Sequence, residues 1–112
     1  MRPSGRIDAA AAPELGQALQ DLLAAGQTHL IVDLNAVRYL SSGALRVLLV
    51  TIKEARRLGG DVKLCSLRPN VYRVFKLSGF THIFEIHDAE EAAALAFQGQ
   101  PATRAFLGEQ SQ

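Results

Sequence analysis

The chain has 112 residues, 48% of them hydrophobic and 21% charged, with a formal net charge of +1. That length fits one domain whose core needs neither metal nor disulfide. The near-zero charge excludes nucleic-acid binding driven by a basic surface, and the lone cysteine, Cys65, excludes an internal disulfide.

No apolar run approaches the ~20 residues of a membrane-crossing helix. The opening MRPSGRID lacks the apolar stretch of a secretory signal. A single thiol inside an apolar run suits a reducing compartment, so the expected location is the cytoplasm.

In chain order, Ser4 to Ile7 read as a short strand ending at Asp8. From Pro13 the spacing turns helical, with Leu15, Ala18, Leu19, Leu22 and Leu23 on one face. Pro13 suits the first helical position, Glu14 complements the helix dipole, and Gly26 stops the helix. Leu30 to Leu34 are β-branched or apolar almost throughout, the pattern of a central parallel strand covered on both sides. Asn35 to Leu40 read as a loop.

From Ser42 to Leu58 the period is helical again, with Leu45, Leu48, Leu49, Ile52 and Ala55 sharing a face and Gly59-Gly60 as the stop. Val62 to Leu67 predict a strand. Pro69 opens a short helix over Asn70 to Leu77, and Ile83 to Ile86 predict a third short strand after it. Asp88 is placed to cap a last helix over Ala89 to Phe97. Gln98 to Gln112 show no periodicity and are broken by Gly99, Pro101 and Gly108, so a mobile tail is expected there. Strands alternating with helices, joined by right-handed crossovers, predict an α/β domain with a mostly parallel sheet.

Most chemistry-bearing residues have an ordinary reading. His29, His82 and His87 lack the three- or four-residue spacing or extra cysteines of a metal site, so no metal is assigned. Gly59-Gly60-Asp61 follows a helix and lacks the Lys-Ser/Thr of a phosphate loop. Arg56-Arg57 complement the end of a helix dipole and have no interleaved aromatics.

YLSSGALRVLL, residues 39–49, remains. A catalytic serine there lacks G-x-S-x-G, because Tyr39 or Leu40 stands where the first glycine belongs. One serine is expected to cap the helix. The other can serve as a phosphoacceptor, since a helix N-terminus offers free N–H groups and a favourable dipole end. A phosphate would add about −1.5 to −2 charges to the adjacent surface. On a helical wheel Val47 and Val50 lie nearly opposite Leu45, Leu49 and Ile52, so both are expected to be exposed beside it.

The segments SGRIDAAAAPEL, LIVDLNAVRYLSSGALRVLL, KEARRLGGDVKLCSL and VYRVFKLSGFTHIFEIHDAEEA together resemble a STAS domain. The likeness runs from about Ser4 to Phe97 and is nearest to free-standing bacterial anti-sigma factor antagonists. It implies a single STAS-like domain over residues 1–97, with about four helices, and a tail over 98–112.

The resemblance further implies a regulatory binding protein, not an enzyme, with no cofactor of its own. Its partner would be an anti-sigma factor that is also a serine kinase and that binds the ATP. The unphosphorylated antagonist binds this partner, and phosphorylation switches it off. The acceptor falls on Ser42, and Asp8, Ser41, Gly43, Ala44, Val47 and Val50 are expected at the partner surface. Ser41 stands where the family often has aspartate, and Gly43-Ala44 where it more often has a small residue and then glycine. Only four residues precede Gly5, so the family's N-terminal edge strand is expected to be shortened or missing, through a shortened domain, a truncated start or completion of the sheet by another chain. A homodimer through that bare edge is one expectation. The alternative reading is a non-switched STAS module in a lipid-transport or stressosome-like complex.

Overall fold

The computed structural model describes residues 5–106. In chain order it runs β1 (Arg6–Ile7), α1 (Ala12–Ala24), β2 (His29–Asp33), β3 (Tyr39–Leu40), α2 (Ser42–Arg57), β4 (Asp61–Cys65) and α3 (Pro69–Leu77). A 3-10 turn (Phe80–His82), β5 (Glu85–His87), α4 (Glu90–Ala96) and β6 (Thr103–Phe106) complete it. The main sheet has the order β5-β4-β2-β6 with every pair parallel, and β1 pairs with β3 in a separate parallel ribbon.

The apolar run Leu30-Ile31-Val32 is fully buried because β2 is central and both faces are covered. Its side chains alternate between two layers. Leu30 and Val32 join Val62 and Leu64 in the larger core, against Leu19 and Leu23 of α1, Leu48 and Ile52 of α2, and Phe75 of α3. Ile31 and Cys65 point the other way, into a smaller cluster closed by Ala93 and Phe97 at α4. Phe75, Phe80 and Phe84 pack with their ring centroids 6.0 Å apart.

Several sequence expectations change. α1 starts at Ala12, so Pro13 is its second residue, and Ala18 is exposed instead of facing the core. Tyr39 and Leu40 form β3, because they pair with Arg6 and Ile7. The third predicted strand shifts to Glu85–His87, since the 3-10 turn delivers Phe84 into the core first. α4 is capped by the extended Ala89 and has no side-chain cap from Asp88; instead the Asp88 carbonyl accepts a hydrogen bond from the Ser66 hydroxyl (3.4 Å).

The expected tail contains an element. Thr103–Phe106 lie parallel to Leu30–Asp33, on the edge of β2 away from β4. That ladder is made by backbone groups and needs no apolar periodicity. Arg104 of β6 pairs with Glu90 of α4, and the Thr103 hydroxyl bonds the Gln27 side chain. Residues 107–112 of the tail, and Ser4 of the first predicted strand, lie outside the described residues. The remainder of that strand, β1, is paired on β3, and the β2 edge is covered by β6.

Candidate functional site

The β1–β3 pairing and three hydrogen bonds build the start of α2. β1 lies beside β3 with Ile7 opposite Leu40, and the Ile7 carbonyl then accepts the Ser41 N–H (2.9 Å). This holds Ser41 extended (φ −73°, ψ 165°), the geometry of a helix N-cap. Its Oγ accepts the Ala44 N–H at 3.1 Å, and its carbonyl accepts the Leu45 N–H at 3.0 Å. Ser41 is buried by these contacts, whereas Ser42, the first residue of the helix, is exposed.

The expected partner residues divide by burial. Asp8, Ser42 and Val50 are exposed, and Gly43 and Val47 are half-buried. Ser41 and Ala44 are buried, so their part in any partner surface is to shape it from beneath. Asp8 follows the residue that binds Ser41, which brings it to the same end of the fold. Its side chain is already engaged: Oδ1 accepts the Ala11 N–H at 3.0 Å, and its carbonyl accepts the N–H groups of Ala11 and Ala12. Asp8 therefore shapes the entry to α1.

Val47 is not exposed as expected. α1 crosses it at Gly16, where an added Cβ would stand 3.5 Å from a Val47 methyl. Having no side chain, Gly16 leaves a shallow apolar groove between the two helices, lined by Gly16, Gln20, Arg46, Val47, Val50 and Thr51. The Thr51 hydroxyl is turned away from ligands by donating to the Val47 carbonyl at 2.8 Å. Val50 is 51% exposed at the rim. Arg46 stands there too, exposed, one turn after Ser42 and one turn before Val50. The sequence reading missed Arg46, although its i,i+4 spacing from Ser42 was there to be seen.

The first turn of α2 contains no acidic side chain. Its leading N–H groups and dipole therefore present an uncompensated positive end beside the Ser42 hydroxyl. The other candidates are occupied structurally. His29 packs edge-on against Phe97 with centroids 5.2 Å apart, and His87 Nε2 lies 3.2 Å from Glu85. Burial, and then the nearby Asp33 carboxylate, push the Cys65 thiol up, which disfavours a thiolate. Asp61 of the Gly-Gly-Asp turn accepts from Arg56 Nε at 2.8 Å and from the Val62 N–H at 2.9 Å.

Comparison with known proteins identifies the family and the fold. The family model described as the STAS domain matches residues 1–93. A protein of Bordetella bronchiseptica provisionally named anti-sigma factor antagonist BtrV is 38% identical over 94 residues, covering 84% of this chain and 81% of that one. The anti-sigma-B factor antagonist of Bacillus subtilis is 33% identical over 88 residues, covering 79% and 80%. Among solved structures, a Thermotoga maritima protein provisionally described as an anti-sigma factor antagonist superposes with a TM-score of 0.81. It covers 88% of this chain and 85% of its own at 23% identity, which establishes a shared fold. Sequence motifs, strand order and family match coincide over most of the chain, and the protein belongs to the STAS domain family.

Proposed function

We propose that this protein is an anti-sigma factor antagonist acting in the cytoplasm. In this reading it binds an anti-sigma factor that is also a serine kinase, and phosphorylation of Ser42 by that partner, using ATP bound to the partner, ends the binding. The names of the relatives support the antagonist role.

The observation that carries the switch is the division of labour between two adjacent serines. Ser41 is buried and spends its hydroxyl on the cap, while Ser42 is exposed at the positive end of a 16-residue helix. A phosphate on Ser42 is compatible with the fold because the helix N-terminus favours an anion. The same phosphate opposes docking, because a partner face closing over it has to desolvate about −1.5 to −2 charges.

The test is calorimetric titration of the partner kinase, recovered by affinity from the native lysate and then purified, with wild type, Ser42→Ala and Ser42→Asp. Each variant is first checked for thermal stability. Ser42→Ala is expected to bind as wild type does and to resist inactivation by ATP. Ser42→Asp is expected to bind at least ~100-fold more weakly, about 2.7 kcal/mol, as a charge left unpaired in an interface does. Equal affinities of the two folded variants would reduce Ser42 to an ordinary helix position.

A further inference from the structure

We propose that the groove between α1 and α2 receives α4 of a second copy of this chain, Leu95 seating against Val47 and Val50 while Glu91 pairs with Arg46. The groove owes its existence to Gly16. A glycine inside a helix is unfavourable against alanine. Steric need does not explain it, because an added Cβ would meet Val47 at 3.5 Å, an ordinary contact. What the missing side chain provides is an open apolar slot beside an exposed valine.

The occupant is chosen by charge. Leu77 at 80% and Leu95 at 78% are the two most exposed large apolar side chains among the described residues. Leu77 sits on α3 next to the exposed cations Arg73 and Lys76, which Arg46 and Lys53 of α2 would repel. Leu95 sits on α4 one turn after the exposed Glu91. Arg46 and Val50 are also one turn apart, so acid meets base when leucine meets valine in a side-by-side contact.

A chain cannot fill its own groove this way. α4 packs on Ile31 and Cys65, whereas α1 and α2 pack on the opposite face of the sheet, with Leu30 and Val32. The contact is therefore head-to-tail, and repeats of it close a ring or extend a chain of copies. Two helices of this size bury less than a standard interface, so the association is weak and depends on concentration. Linked copies would cover the α2 face one turn from Ser42; that consequence rests on the proposed function, but the self-association does not.

The test is light scattering of the purified full chain from micromolar to millimolar, with circular dichroism and melting of every variant. Wild-type mass is expected to rise with concentration. Arg46→Glu and Glu91→Lys should each weaken the rise at least about tenfold, and the double variant should restore it. An equimolar mixture of the two single variants should also restore the rise, since both contacts between unlike copies are complementary in charge while those between like copies are not. Leu95→Ser should also weaken association, and Gly16→Ala should weaken it while melting at a higher temperature. A wild type that stays monomeric throughout, or a rise that ignores both charge reversals, overturns the proposal. A double variant that folds but fails to recover also overturns it. None of these readouts involves the kinase or Ser42, so this proposal and the proposed function fail separately.

Discussion

Replacing Ser41 with alanine removes the one side-chain bond that caps α2, the 3.1 Å contact to the Ala44 N–H. The expected loss is about 1 kcal/mol, which for a domain of this size lowers the melting temperature by roughly 4–8 °C. Ser42→Ala deletes an exposed hydroxyl and should stay within about 0.5 kcal/mol of wild type. Melting curves of the two variants thus separate the structural serine from the proposed regulatory one, and equal losses would contradict the assignment. Glycines give a second contrast. At Gly60 an added Cβ would lie 1.9 Å from the Thr28 carbonyl oxygen, which also accepts the Asp61 N–H at the start of the β2–β4 ladder. Neither backbone can yield without shifting that register, so Gly60→Ala is expected to cost about 3 kcal/mol in urea denaturation. Gly16→Ala is expected to gain about 1 kcal/mol in the same assay, because it restores helix propensity and its Cβ meets the nearest Val47 methyl at an ordinary 3.5 Å.

Thr103–Phe106 cover the β2 edge, so a chain ending at Ala102 should leave a central strand unpaired on one side. The expected outcome is a stability loss of about 2 kcal/mol and concentration-dependent aggregation, followed by urea titration and light scattering. This strand was invisible in the sequence for the same reason that β3 was. TRAF and YL are too short to show a period, and what holds them is backbone pairing with a distant partner. β2 and α2 were legible because burial imposes a pattern on every side chain: unbroken apolar residues where both faces are covered, a 3.6 period where one is. At the site, the two serines and their helix start were legible from local chemistry. The partial burial of Val47 was not, because a helical wheel cannot know that α1 crosses α2 at that residue. Asp88 failed as a cap for a related reason: its carbonyl is drawn to Ser66, and the chain extends through Ala89 before α4 begins.

Across the molecule, the α4 layer carries a buried charge at its centre. Lys63 of β4 places Nζ 3.1 Å from Glu85 of β5 and 3.3 Å from Asp61, and 4.6 Å from the ring centroid of Phe97 after α4. One ammonium therefore joins two strands and the end of a helix, and burying it is tolerable because two carboxylates and an aromatic face replace its water. The hydrogen bond from Lys63 is the main cause holding the Glu85 carboxyl below its usual range; His87 adds to it and partial burial opposes it. The sign follows from the direction. A carboxyl with a lower pKa in the folded chain than in the unfolded one binds fewer protons when folded, so it adds stability above the ordinary value of about 4.3. That contribution is lost as pH falls through the lower folded value. The Glu85 side chain is about half exposed (53%), so solvent screening keeps the contribution under about 1 kcal/mol. Glu85→Gln should therefore be slightly less stable than wild type at pH 7, with a flatter acid limb, and the two stability curves should converge once wild-type Glu85 is protonated. The check is urea denaturation of both proteins from pH 7 down to the acid transition. A constant offset between them at every pH would mean that Glu85 acts through packing and not through its charge on Lys63.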